Sequence, residues 1–317
     1  MSKVMTILKG SRPLTWALSV CPVIIATICS AMDSFFAPLS FHSRSTYWLI
    51  LAAMSVAVAW SMQVSANFIN DYLDGQRGID DNRSDIAPAR MNSTVEGQNF
   101  ALQSALATVC AAIVIGIAAV VLSRQYWLLI VGTVCVAAAW GYSAFLSAYG
   151  WGEILTFVFF GPVAMWSIEF MLIRHIGPWV ILASIQCGLL CAAVLLVNNM
   201  RDEYSDAAAG KRTIVVRWGT QWAQKILIGA VATVWILSAI EIVASIIAVR
   251  GHVAAWIIAL SMCILGEAIA GCIWIVLNIF HAQNRPALYK RVFTSLNLMM
   301  ILLALHYVVV FVVVNAL

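Results

Sequence analysis

Apolar stretches of about twenty residues follow one another along almost the whole chain, separated by short polar connections. A stretch of that length crosses the hydrocarbon core of a bilayer as a helix, and in lipid only helices or closed barrels satisfy the backbone. Nine such stretches fall at about 14–32, 46–69, 100–122, 126–147, 153–173, 178–199, 224–249, 254–279 and 293–315. Composition agrees: 63% of residues are hydrophobic and 10% charged, against roughly 45–50% and 25% in soluble domains. A soluble enzyme is excluded, and the fold class expected is an all-α polytopic membrane protein, a single bundle of nine transmembrane helices. The longest polar stretch, about 71–99, is too short for a soluble domain, so 1–317 reads as one intramembrane domain with polar loops at about 70–99 and 198–222.

Two local signals need their context. Lys3, Lys9 and Arg12 precede the first apolar stretch as in a signal peptide, but that stretch feeds directly into further spans and reads as the first helix. The valine triplets at 308–310 and 312–314 favour strand in water; inside a long apolar segment they are expected to be helical.

Lysine and arginine are distributed unevenly. With loops assigned alternately to two sides, 14 fall with the N-terminus and the loops after even-numbered spans, and only Arg44, Arg124, Arg174 and Arg250 fall opposite. The positive-inside rule puts the N-terminus and both polar loops in the cytoplasm and the C-terminus outside a cell membrane. The net charge of +4 is then topological, not a nucleic-acid footprint, and no obligatory protein partner is indicated. The eight cysteines all fall inside spans without a C-x-x-C pair and read as small apolar residues.

Acidic residues concentrate where two of the apolar stretches run out. Asp71 and Asp74 follow Asn70, and Asp202 and Asp206 follow Asn198 and Asn199. Spacings of three and four put each pair on one helical face, about 5–6 Å apart at Cβ, where they repel unless a cation intervenes. Hard carboxylate oxygens suit Mg²⁺, which binds one or two carboxylates together with substrate phosphates. Arg77, Arg90, Arg201, Lys211, Arg212 and Arg217 stand nearby as donors to phosphate oxygens. Two such clusters on one membrane face point to a polyanion held through divalent cations. Gly210-Lys211-Arg212-Thr213 is no P-loop, because Ser205 stands where the first glycine belongs and Arg212 where Ser or Thr must follow the lysine.

The segments N-D-Y-L-D-G-Q-R-G-I-D from Asn70 to Asp80 and N-N-M-R-D-E-Y-S-D-A-A-A-G-K-R-T-I-V-V-R-W-G from Asn198 to Gly219 resemble those of the UbiA-type intramembrane prenyltransferases. Arg12-Pro13, Pro88-Ala-Arg90, Gly152-Glu153 and Phe160-Gly161-Pro162 agree with that resemblance. Within the group the chain is most similar to the branch that prenylates 1,4-dihydroxy-2-naphthoate in menaquinone synthesis. The resemblance implies nine helices around a central cavity and Mg²⁺-dependent transfer of a polyprenyl chain from an allylic diphosphate to an aromatic acceptor. It implies Asp74, Asp202 and Asp206 as catalytic residues, with Asp71 and Asp80 joining them as metal ligands. Asn70, Arg77, Asn198, Arg201, Lys211, Arg212 and Tyr142 would bind substrate. Gly78 stands where other branches carry an aspartate, the next acid being Asp80; no lysine or arginine lies between Arg174 and Arg201 to supply the catalytic lysine of other branches.

Loss of the acceptor's carboxylate as CO₂ would restore its aromaticity without a strong protein base. Aromatic faces at Tyr72, Trp140, Tyr142 and Tyr204 are candidates to stabilise an allylic cation. The competing readings are prenyl transfer to 4-hydroxybenzoate, homogentisate or another acceptor, and transport of polyprenyl phosphates. Glu169, Glu241 and Glu267 lie inside spans and are expected to form interhelical hydrogen bonds, His306 is expected to be a satisfied packing residue, and Glu153 could touch acceptor.

Overall fold

The computed structural model describes residues 3–34, 45–76, 94–144, 150–208, 210–248, 255–282, 285 and 287–315. All regular structure among them is helical. Eight helical segments are long and apolar enough to cross a membrane, and a ninth apolar helix, at Leu128–Gly141, is shorter. The protein is a multi-pass membrane protein.

A short helix α1 (Lys3–Ser11) leads through Arg12, in the left-handed region at φ 50°, and a 3₁₀ turn (Pro13–Thr15) into α2 (Trp16–Asp33). Then come α3 (Ser45–Gln76), α4 (Val95–Ser123) and α5 (Leu128–Ala144). The stretch expected as one span at 153–173 is one, Gly152–Ile173, made of α6 (Gly152–Val158), a π-helical turn (Phe159–Val163) and α7 (Ala164–Ile173) in unbroken succession. Pro162 inside the turn has no N–H to donate, so the ladder widens there instead of continuing as α-helix. The second half comprises α8 (Pro178–Arg201), α9 (Glu203–Ala208), α10 (Ile214–Trp218), α11 (Thr220–Ala248), α12 (Ala255–Ile279) and α13 (Ala287–Asn315). The valine triplets lie in α13, as expected.

Helix α8 is the axis of the bundle, with two-thirds of its apolar window buried. The main core forms around it from α2, α7, α11, α12 and α13. Small residues set the tightest crossing: a Cβ on Gly188 would come within 2.7 Å of the Phe157 carbonyl, and one on Gly161 would overlap the Ser184 carbonyl. Backbones approach this closely in membrane proteins where glycine permits it. The N-terminus of α8 is held by acids from two other helices. Trp179 N–H and Val180 N–H donate to Asp33 at 3.4 and 3.2 Å, and Gly177 N–H donates to Glu169 at 2.9 Å. Carboxylates there satisfy helix-end donors and complement the macrodipole.

Polar groups also join α8, α11 and α13. Tyr307 Oη lies 2.5 Å from Gln186 Oε1 and 2.9 Å from Glu241 Oε1, its one proton serving this pair of acceptors, His306 Nε2 lies 2.9 Å from Glu241 Oε2, and Gln186 Nε2 reaches Ser238 Oγ at 3.1 Å. Glu241 and His306 thus make the interhelical contacts expected of them. Glu267 instead lies on the exposed face of α12.

Candidate active site

Both acidic motifs are more helical than the loops expected from sequence. Helix α3 runs past its apolar stretch to Gln76, so Asn70, Asp71 and Asp74 occupy its last two turns. Asn70 and Asp74, four apart, share the face that lines a large cavity. Asp71 is turned away, buried at 1% exposure, and paired with the Arg12 guanidinium. The expected partnership of Asp71 with Asp74 on one face is therefore replaced by Asn70 with Asp74. Arg12 is brought into place by α1, whose Ser11 carbonyl accepts from Asn67 Nδ2 at 2.9 Å.

In the second motif α8 ends at Arg201 and the chain turns at Asp202, but Asp206 N–H still donates to the Asp202 carbonyl at 2.8 Å. The four-residue spacing survives the helix break, and Asn198, Asn199, Arg201, Asp202 and Asp206 all line the cavity. Arg201 grips Asp202 through two bonds of 2.8 and 2.7 Å. Gly210, at φ +74°, lets the chain fold back so that Lys211 N–H donates to the Asp206 carbonyl at 2.9 Å. The Lys211 ammonium then lies 3.3 Å from Asp206 Oδ1 and 3.7 Å from Asp74 Oδ1. It joins the two motifs across the mouth of the cavity.

Burial pushes the Asp206 carboxyl above its ordinary range; Lys211 opposes this, and the charges of Asp202 and Asp74 add to it. Among the described residues the acids do not close into a three-acid cage; Lys211 spans the space between Asp74 and Asp206.

Arg77 and Asp80, with Arg90, lie outside the described residues, as does the side chain of Tyr142. Arg212 is exposed and stands off the cavity wall. Its carbonyl packs against Gly150, where φ is +79° and a Cβ would come within 2.6 Å of it. That contact seats the start of α6 beneath the second motif.

Beyond the charged mouth the cavity, about 1150 Å³, is walled by apolar side chains of α2 to α7, including Leu18, Val58, Ile113, Val136 and Met171. Among the described residues its aromatic lining is Phe159 and Phe160 at the π-helical turn and Phe293 on α13. Of the aromatics singled out in sequence, Tyr204 is 88% exposed, and Tyr72 and Trp140 pack on the separate cluster of Val64, Phe68 and Ile69. Sequence reasoning placed neither Arg12 nor Phe159 in the site, whereas Asn199, expected there beside Asn198 as a neutral amide at the helix end, does line the cavity; the local signals for the other two were Arg12-Pro13 before the first span and Pro162 inside the fifth.

Comparison with known proteins agrees with this geometry. A protein of Mycobacterium tuberculosis described as 1,4-dihydroxy-2-naphthoate octaprenyltransferase is 34% identical over 252 residues, covering 78% of this chain and 81% of that protein. A UbiA homolog from Aeropyrum pernix K1, solved in its apo form, superposes with a TM-score of 0.60 at 15% identity, covering 94% of this chain and 98% of that one. A UbiA homolog from Archaeoglobus fulgidus, solved bound to GPP and Mg²⁺, gives 0.54 at 16% identity, covering 98% and 99%. The model of the UbiA prenyltransferase family matches residues 19–297. With that match covering both acidic motifs and the walls of the cavity between them, the chain belongs to the UbiA prenyltransferase family.

Proposed function

We propose that the protein transfers a polyprenyl chain from an allylic diphosphate to 1,4-dihydroxy-2-naphthoate, releasing CO₂ and diphosphate and giving demethylmenaquinol. The observation that carries the donor half is the meeting of Asp74 and Asp206 at Lys211, at the mouth of an apolar cavity of about 1150 Å³. One end of the ligand must be polyanionic and the other long and apolar. The acceptor follows from the relatives described as 1,4-dihydroxy-2-naphthoate octaprenyltransferases in M. tuberculosis and other bacteria.

The donor set fits a hard divalent cation: carboxylates of Asp74, Asp202 and Asp206, with Asn70 and Asn198 beside them. In this reading these residues hold Mg²⁺, which supplies charge neutralisation to the departing diphosphate. Asp80 contributes from outside the described residues, and Asp71 contributes by holding Arg12. Lys211 and Arg201 exchange their carboxylate partners for phosphate oxygens when substrate enters, with Arg77 assisting. The allylic C–O bond then ionises while the apolar walls keep water from the cation, and the faces of Phe159 and Phe160 stabilise it. The electron-rich ring carbon bearing the carboxylate forms the new C–C bond. Its bond to the carboxylate breaks, CO₂ departs, and the electron pair restores aromaticity.

The charge bias supports a reading with the charged mouth and the N-terminus at the cytoplasmic face and the C-terminus outside. Purified protein in detergent, given radiolabelled polyprenyl diphosphate, Mg²⁺ and a panel of aromatic acceptors, tests the whole reading. A prenylated, decarboxylated naphthoquinol is expected from 1,4-dihydroxy-2-naphthoate. Transfer to 4-hydroxybenzoate or homogentisate alone would overturn the acceptor, and near-normal transfer by Asp202→Ala would overturn the site.

A further inference from the structure

Among the described residues four acidic side chains line the cavity: Asp74, Asp202, Asp206 and Glu153. The first three each face a cation, Lys211 or Arg201. Glu153 does not. It begins α6, is buried at 7% exposure, and its Oε1 accepts from the neutral amide of Asn199 at 2.8 Å. Its Oε2 is buried without a hydrogen-bond partner. An unpaired buried carboxylate oxygen costs its full desolvation penalty. An orphan of this kind on a cavity wall marks the place of a ligand group.

The chemistry of that group is narrow. A bare diphosphate oxygen would meet the Glu153 carboxylate with like charge, and Glu153, unlike Asp206 with Lys211, has only a neutral amide beside it among the described residues. An apolar prenyl chain leaves the oxygen unsatisfied. A neutral O–H or N–H donor satisfies it, the competing partner being a divalent cation, which would show as a changed Mg²⁺ requirement. Glu153 also stands on the same span as Thr156, Phe159 and Phe160, which continue down the cavity wall. A hydrogen-bond acceptor on the same wall as aromatic side chains suits a hydroxylated aromatic ring.

We infer that Glu153 is the acceptor-selecting residue: its Oε2 accepts a hydrogen bond from the ring hydroxyl remote from the acceptor's own carboxylate, with Asn199 holding the carboxyl in position. The inference rests on the acceptor reading proposed above. The remote hydroxyl is the one that avoids bringing two carboxylates together. No bond to it forms or breaks; the contact orients the ring and rejects acceptors that lack the second hydroxyl, for which Glu153 would stay buried and unpaired.

The experiment compares 1,4-dihydroxy-2-naphthoate with 1-hydroxy-2-naphthoate, in the wild type and in Glu153→Gln, which keeps an oxygen for Asn199 but presents an amide in place of Oε2. The wild type is expected to favour the dihydroxy acceptor at least about tenfold in kcat/KM. Glu153→Gln should raise the KM for that acceptor about tenfold and reduce the preference by a similar factor. KM for the polyprenyl diphosphate and the half-activating Mg²⁺ concentration should stay within about twofold. Tryptophan-quenching titration of the dihydroxy acceptor, without Mg²⁺ or diphosphate, should show the same weakening. Equal use of the two acceptors by the wild type overturns the inference without any variant. An unchanged acceptor preference in folded Glu153→Gln, or a shift confined to the Mg²⁺ requirement, also overturns it. A wild type that prenylates neither naphthoate overturns the proposed acceptor, and this inference with it.

Discussion

The ammonium of Lys211 stands 3.7 Å from Asp74, tying the tail of the second motif to the end of α3. The same ammonium lies 3.3 Å from Asp206, so one cation screens two carboxylates contributed by different parts of the chain. This arrangement keeps the acids apart in charge while leaving them close enough to act on one ligand.

Replacing Lys211 by Met is therefore expected to do two things. The KM for polyprenyl diphosphate should rise at least about tenfold, since a charge-assisted hydrogen bond contributes roughly 1.5–3 kcal/mol. Unscreened repulsion between Asp74 and Asp206 should also make the protein depend more strongly on divalent cation for thermal stability. Initial rates over a donor series and melting curves at several Mg²⁺ concentrations check both, and an unchanged donor KM would remove Lys211 from the site.

Arg12→Met leaves Asp71 buried and without its guanidinium. Breaking a buried pair from one side costs about 3–5 kcal/mol. The Arg12 side chain keeps 23% exposure, so solvent screening brings the expected loss to about 2–3 kcal/mol. Thermal unfolding in detergent measures it. Arg12→Met combined with Asp71→Leu should recover most of the stability, because no uncompensated charge then remains; a double variant as unstable as the single would contradict the pairing.

Gly188→Ala tests the crossing of α6 over α8. The added methyl would meet the Phe157 carbonyl at 2.7 Å, which is backbone and cannot swing aside. Overpacking of this sort costs about 1–3 kcal/mol. The displacement falls between Glu153 and Phe160, so acceptor KM should suffer more than donor KM. A kinetic panel on the purified variant distinguishes this from uniform loss.

Glu241→Ala strips Gln186, His306 and Tyr307 of a shared partner deep in the bundle. Orphaned buried polar groups cost about 1–3 kcal/mol each, so a clear drop in melting temperature is expected. Twenty-one residues of α11 separate Glu241 from Thr220, roughly 30 Å along a helix. Both substrate KM values should therefore remain within about twofold; a selective rise in either would place this network in the catalytic cycle.

The membrane class and nearly all the helices were legible in the sequence, because lipid leaves the backbone no alternative and hydropathy records where lipid is met. Length alone therefore overrode the strand propensity of the valine triplets in α13. The acidic motifs were legible too, since carboxylates at the end of an apolar stretch have few structural uses. The division of labour inside the first motif was not. Spacing paired Asp71 with Asp74, whereas Asp71 turned to Arg12, a residue 59 positions away that only the fold of α1 delivers. The aromatic lining was misjudged for the same reason: Tyr72, inside the first motif, and Trp140 pack outside the cavity, while Phe159 and Phe160 reach it at the π-helical turn.

By itself, then, the sequence determined that the chain spans a membrane as a helical bundle and which acids stand at its edge. These follow from local composition, because each helix satisfies its own hydrogen bonds and each apolar stretch finds its own depth. Only the tertiary structure decided which acids face the cavity, which cation each one meets, and that Glu153 meets none. Those are relations between helices far apart in the chain, fixed by close crossings such as Gly188 on Phe157, and no window along the sequence contains both partners.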